Sequence, residues 1–384
     1  MNMLDLDIEQ FWKDDELAHK ENCFSKEAPQ VALGIRMSDE CVFAELGEEG
    51  QPWGYTPPER RYDLNCRYNE KARRIVGIPL LNEVKPLPPE KQPRVTIPSY
   101  RKIGEVFGGK YVFDGNTTWL EGSVSDPDEL KKMLVSVRAM ISDPEAFKNF
   151  VLPKDWNERC KAVYELYGKR PKQFTWMRGP VTLATSILGI ENLIYLYYDD
   201  EALFREFSDV IGDTIIAYIK LFIEESGNAY ETFQHGFRFN DDDCYLLTPD
   251  MYHAFGYPIL KKVFDFASPK EEDFRYQHSD SDMGHLIPQL ADFNLTGCNF
   301  GPNITVREIR KCMPKTRIDG QLAPFTFMRN NEEDIIAEVK RDCEAAKEND
   351  ARGLNITTAG SINNGSLLTS MRCVMAAIQK YGRY

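Results

Sequence analysis

The sequence predicts an α/β fold built on a parallel sheet, either open or closed into a (β/α)8 barrel. Three observations carry this. Short β-prone runs alternate with helical segments from Gln173 to Ala359, the pattern of repeated βα units. The segments between them place apolar residues at helical spacing. Neither a GxGxxG after a strand nor a GxxxxGK[ST] occurs, so dinucleotide and P-loop folds lack their fingerprints.

Taken in order, residues 1–110 read as an irregular extension of short helices and extended pieces. Prolines cluster there in "GQPWGYTPPERR" and "VKPLPPEKQPRVTIP", and proline punctuates regular structure. "KYVFDGNTTWLEGSV" reads as a hairpin, with Tyr111, Phe113, Thr117 and Trp119 flanking a turn at Asp114-Gly115-Asn116. A helix follows, N-capped by Ser125 or Asp126 with Pro127 in its first turn. Strands are then expected at 173–178, 228–234, 273–279, 294–300, 316–322 and 353–359. Between them, Leu203, Phe207, Ile211, Ile215, Tyr218 and Phe222 mark one long helix, and "NEEDIIAEVKRDCEAAKEN" a second amphipathic one.

Composition narrows the function classes. With 384 residues, 42% hydrophobic and 12% aromatic, the chain can bury a sizeable core. A net charge of −13 argues against a nucleic-acid surface, which needs clustered Lys and Arg. The acidic start "NMLDLDIEQFWKDDELAHK" has no signal-peptide pattern. No apolar run approaches the roughly eighteen residues of a membrane span. Nine scattered cysteines without a CxxC pair suit reduced thiols in the cytoplasm.

In either α/β architecture, function collects at the carboxyl ends of strands. The residues expected there are Arg178, His235, His278 with Asp280, Cys298 with Asn299, Asp319 with Gln321, and Thr358 to Asn363. His278 and Asp280, two apart, point to one face if the strand continues, as an acid/base pair or as metal ligands. His235, His278 and Cys298 would form a zinc site with an open fourth position, Asp280 orienting His278 or replacing a ligand. Arg178 suits a substrate carboxylate or a salt bridge. Gln321 offers both a donor and an acceptor. The aromatics Trp119, Trp176, Phe233 and Tyr276 read first as core, with Trp176 and Phe233 near enough to strand ends to line an aryl pocket. His19, His253 and His285 lie in helical contexts and read as structural.

"MRGPVTLATSILGIENLIYLYYDDEALFREFSDVIGDTIIAYIKLFIEESG" resembles the uroporphyrinogen decarboxylase superfamily, with its Gly-Pro-x-Thr-Leu turn, short helix, acidic break and long helix. "NDDDCYLLTPDMYHAFGYPILKKVFD", "HSDSDMGHLIPQLADFNLTGCNF", "IDGQLAPFTFMRNNEEDIIAEV" and "LNITTAGSINNGSLLTSMRCVMAAIQKYG" continue the likeness, which covers 111–384. It implies a (β/α)8 barrel over those residues, with 1–110 packed on it as the extension. It also implies one of two activities, uroporphyrinogen decarboxylation or corrinoid-dependent methyl transfer.

Residue by residue, the decarboxylase branch lacks its marks. Ser186 stands at its tyrosine, "TTAGSI" contains no late histidine, and Arg36 alone represents its amino-terminal arginines. The methyltransferase branch often uses a His-x-Cys plus a later Cys on zinc. Here His278 matches the histidine, Asp280 stands at the first cysteine, and Gly360 or Ser361 falls at the second. That departure turns attention from thiol activation to the group that begins O- or N-demethylation. The superfamily also places acidic residues near the cleft, where Asp242 falls.

The expectation is therefore a cytoplasmic methyltransferase of the O-demethylase type. It would take methyl from a small methylated substrate, an aryl methyl ether foremost, and pass it to the corrinoid of a separate protein, with zinc as its own cofactor. The alternatives are a decarboxylase-like lyase and a non-catalytic tetrapyrrole or corrinoid binder. No nucleic acid or membrane partner is expected, and the assembly state is open, a homodimer included.

Overall fold

A computed structural model describes residues 5–87, 94–113, 118–360 and 365–384. Nine strands are present among them: β1 (Ala32–Leu33), β2 (Lys110–Phe113), β3 (Thr118–Glu121), β4 (Trp176–Arg178), β5 (Phe237–Asn240), β6 (Arg275–His278), β7 (Gly297–Asn299), β8 (Arg317–Leu322) and β9 (Leu354–Thr358). Seven form one sheet in the order β1-β9-β8-β7-β6-β5-β4, and its registered pairs are parallel. From β4 to β9 each strand neighbours the next in sequence, without the reversal of a doubly wound sheet. This is the α/β, TIM-barrel-type order that the alternation predicts, with seven strands described where eight were expected.

The chain divides into two compact units. One comprises Pro89–Tyr276 and Pro288–Phe293. In it β2 and β3 pair antiparallel as the predicted hairpin; the turn at 114–116 lies outside the described residues. Asp126 caps the helix Pro127–Ile141, its carboxylate accepting from the amides of Asp128 and Glu129. The helix Glu201–Glu225 buries Leu203, Phe207, Ile211, Ile215, Tyr218 and Phe222, as their spacing requires. Phe174 and Phe237 join Tyr218 and Phe222 in an aromatic core. β4 and β5 pair with Trp176 opposite Arg238 and Arg178 opposite Asn240.

One expected strand is misplaced. Residues 228–234 are not a strand, and β5 begins only at Phe237. Gly227, at φ +73, stops the preceding helix, and the chain turns irregularly until Gly236. The period-two signal lies in "FRFN", where Phe237 and Phe239 are buried and Arg238 and Asn240 are not.

The other unit comprises Met1–Pro88, Gln277–Ile287 and Asn294–Tyr384. It holds β1, β9, β8 and β7 in parallel, with Ala32 opposite Asn355 and Gly297 opposite Arg317. The helices Glu332–Ala346 and Leu368–Tyr381 bury their apolar faces here, the first capped by Asn331. Its amino-terminal part is more regular than its prolines suggest, with helices Ile8–Ala18, Asp39–Leu46 and Pro58–Ile75. His19 is structural, its Nε2 lying 3.4 Å from Asp15 and 3.2 Å from the Leu33 carbonyl. No described helix is long and apolar enough to cross a membrane.

Candidate functional site

In the first unit, β4 ends at Arg178 and the Gly179-Pro180 turn opens the helix Pro180–Leu188. Asp241, just beyond β5, caps that helix from the neighbouring strand. Its carboxylate accepts from the Thr182 amide at 2.8 Å, the Thr182 hydroxyl at 2.9 Å and the Val181 amide at 3.3 Å. The Gly-Pro-x-Thr signature thereby acquires a physical meaning. A β-carbon on Gly179 would lie 2.0 Å from that of Asp241, Pro180 starts the helix, and Thr182 supplies two donors. Full burial nevertheless pushes the Asp241 carboxyl up to about 7.

Beside this turn lies a cavity of about 360 Å³, walled chiefly by Tyr100, Tyr111, Leu120, Phe174 and Trp176, with Arg178 among its few charges. The Lys102 ammonium sits 4.5 Å from the centre of the Tyr111 ring. Arg178 is exposed and its guanidinium makes no hydrogen bond or ion pair with a described residue, so the salt-bridge reading has no partner there. Ser186, at the decarboxylase tyrosine position, lines the same cavity and donates to the Thr182 carbonyl. Trp176 is 58% exposed and is an accessible wall.

Two expected residues of this unit lie elsewhere. His235 precedes β5 and so stands at its amino end, because the strand starts later than the sequence suggests. Its Nδ1 is 3.2 Å from Asp273. Phe233 is buried and stacks on the His235 ring at 4.4 Å; it does not line the Trp176–Arg178 cavity. Asp242 follows β5 and is partly buried.

In the second unit, His278 closes β6. Its Nε2 lies 3.0 Å from Asp280 Oδ1, and its Nδ1 lies 2.8 Å from Asn299 Oδ1 at the end of β7. The pair anticipated from the i, i+2 spacing is thus formed. Gly360, at φ +93, leaves the room Asp280 occupies, since a β-carbon there would meet Asp280 Oδ1 at 2.4 Å. Ser361 and Asn363 lie outside the described residues. Arg36, beyond β1, is exposed. Gln321 is fully buried, its amide donating to the carbonyls of Gly301 and Ile304 at 3.1 and 2.6 Å. It ties β8 to the loop after β7 and presents no surface to a substrate.

The zinc ligand set expected from the sequence does not fit. Cys298 is fully buried, and burial raises its thiol well above the ordinary range, so it offers no ready thiolate. His235 stands at the wrong end of its strand and is engaged by Asp273. Within its own unit, His278 with Asp280 forms a nitrogen–oxygen pair able to hold a borderline cation.

Two residues that sequence reasoning left without a role organise these sites. Asp241 is hidden in the run Asp241-Asp242-Asp243, where only burial separates it from its neighbours. Asn299 is a polar residue ending an apolar strand, and that position was its one signal.

Against known proteins, no curated sequence matches the chain. Among solved structures it is similar to a methyltransferase from Methanosarcina mazei, with a TM-score of 0.54 and 15% identity, over 92% of this chain and 94% of that one. At that identity the likeness bears on the fold. The family model for uroporphyrinogen decarboxylase (URO-D) matches residues 134–381. With the Gly-Pro-x-Thr turn and the parallel strand order already in place, the chain belongs to the uroporphyrinogen decarboxylase family.

Proposed function

We propose that the protein is a methyltransferase that takes methyl from a small methoxylated aromatic compound and passes it to the corrinoid of a separate protein. The cavity at β4 carries this reading. Its aromatic and aliphatic walls suit a benzene ring, and Arg178, without a partner among the described residues, suits a ring carboxylate. The fold shared with a protein described as a methyltransferase supports it further.

The corrinoid would supply cobalt(I) as the nucleophile. The chain's own residues hold the donor. Trp176, Tyr111 and Phe174 pack on the ring, and Arg178 fixes its orientation, so that the methyl carbon is presented in line. His278 and Asp280, 3.0 Å apart, would hold zinc, which supplies Lewis-acid chemistry when bound. The nine cysteines, all free, fit the reducing cytoplasm in which we place the reaction.

Demethylation of methoxybenzoates and neutral methoxyarenes, assayed with a panel of corrinoid proteins, tests the proposal. Arg178→Met should raise KM for the methoxybenzoates by about 10–100-fold, the worth of a charge-assisted bond. For neutral methoxyarenes KM should hardly move. The family model keeps a decarboxylase-like lyase as the second reading. Consumption of uroporphyrinogen by a protein inert to every methoxyarene would replace the first reading with it.

A further inference from the structure

Asn299 determines which nitrogen of His278 faces Asp280. It is nearly buried at the end of β7, and its amide is held on both sides by backbone. The amide nitrogen donates to the carbonyls of Asp319 at 2.5 Å and Thr358 at 3.0 Å. The amide oxygen accepts from the Gly360 N–H at 3.1 Å. Carbonyls only accept and a backbone N–H only donates, so turning the amide over would lose three hydrogen bonds and create three clashes of like polarity. The orientation is therefore fixed without reference to the histidine.

That leaves His278 Nδ1 2.8 Å from an oxygen. Only a protonated ring nitrogen satisfies an acceptor at that distance. Nε2 is then the nitrogen that meets Asp280, 3.0 Å away. A neutral ring would present its lone pair to a carboxylate, which is repulsive unless a proton or a cation lies between them. The strand ends thus aim Nε2 at Asp280 by means of a neutral amide.

We infer that Asn299 is a positioning residue that locks His278 in the Nδ1–H form and commits Nε2 to the shared place beside Asp280. The tautomer follows from unit geometry alone; its consequence for turnover rests on the methyl-transfer proposal.

The test is nitrogen NMR of ¹⁵N-histidine-labelled full-length protein at about pH 8.5, above the ordinary imidazole range. Wild type should show His278 with Nδ1 protonated, and added Zn²⁺ should move the Nε2 signal. Asn299→Ala should shift the ring toward the Nε2–H form and weaken Zn²⁺ binding by about 10–100-fold, as loss of such support does elsewhere. Unmoved His19 and His253 resonances would show that the variant is folded. An unprotonated Nδ1 in wild type overturns the inference, and that measurement does not depend on any variant folding. Retention of Nδ1–H in a folded Asn299→Ala overturns it equally. A locked tautomer in a protein inert to methoxyarenes sinks the methyl-transfer reading and leaves this one standing.

Discussion

Replacing Asp241 by Asn should change how stability depends on pH, in a direction the structure fixes. Burial raises the Asp241 carboxyl from its ordinary 3.8 to about 7. Below 3.8 both folded and unfolded chains are protonated, and the group contributes its full share. Between 3.8 and about 7 the unfolded chain releases its proton while the folded one keeps it, so stability falls as pH rises and then levels off. A shift of about 3 units corresponds to about 4 kcal/mol. The bonds from Val181 and Thr182 at the amino end of the helix Pro180–Leu188 favour the anion and are already part of that net rise, so about 4 kcal/mol is the expected size. Urea unfolding of both proteins between about pH 4 and pH 8 isolates the effect, because every other titrating group is common to both. Wild type should lose that amount relative to Asp241→Asn over the interval. A difference that stays flat, or grows in favour of wild type, would show that the three hydrogen bonds and the helix end outweigh burial.

Two further outcomes are expected. Gly179→Ala should destabilise by about 2–3 kcal/mol, the usual cost of overpacking, and combined with Asp241→Gly, which removes the clash along with the cap, the double mutant should lose clearly less than the sum of the two; a merely additive double mutant would deny the contact. His19 is pushed up to about 10, chiefly by its bond to Asp15, so its contribution is complete below about 6.5 and lost as pH rises through about 10. Its ring protons should therefore stay in the charged position from about pH 6 to 8, and a midpoint near the ordinary 6.5 would contradict that pairing.

What could be read in advance followed the range of the forces involved. Helices such as Pro127–Ile141 and Glu201–Glu225 are specified by caps and spacing within a few residues, and both are found where expected. β5 is specified by neighbours far along the chain, so it was placed several residues early, and His235 and Phe233 were carried to the wrong end with it. Among the candidate residues, the His278–Asp280 pairing follows from adjacent residues, and the placement of Arg178 and Trp176 at a strand end follows from a local motif. Asp241 acts on residues about 60 positions away, and Asn299 joins four separate stretches of chain. Such roles leave no pattern in sequence. Cys298 shows the converse: a cysteine's residue type suggests a ligand, while only burial reveals that it is closed to one.

The pairing of β1 with β9 sets the order in which the protein can be completed as it is made. Leu33 takes Ile356 as its partner, so the strand synthesised first among the seven must wait for the last. The unit that runs from Pro89 to Tyr276 is nearly continuous and can close while synthesis proceeds. The unit holding His278, Asp280 and Asn299 cannot, and its early helices must stay soluble on the ribosome until β9 emerges. Long-range closure of this kind is slow. A nascent chain halted before Leu354 should therefore resist protease between Pro89 and Tyr276 and be cut readily before it, which makes the amino-terminal helices the part most dependent on chaperones.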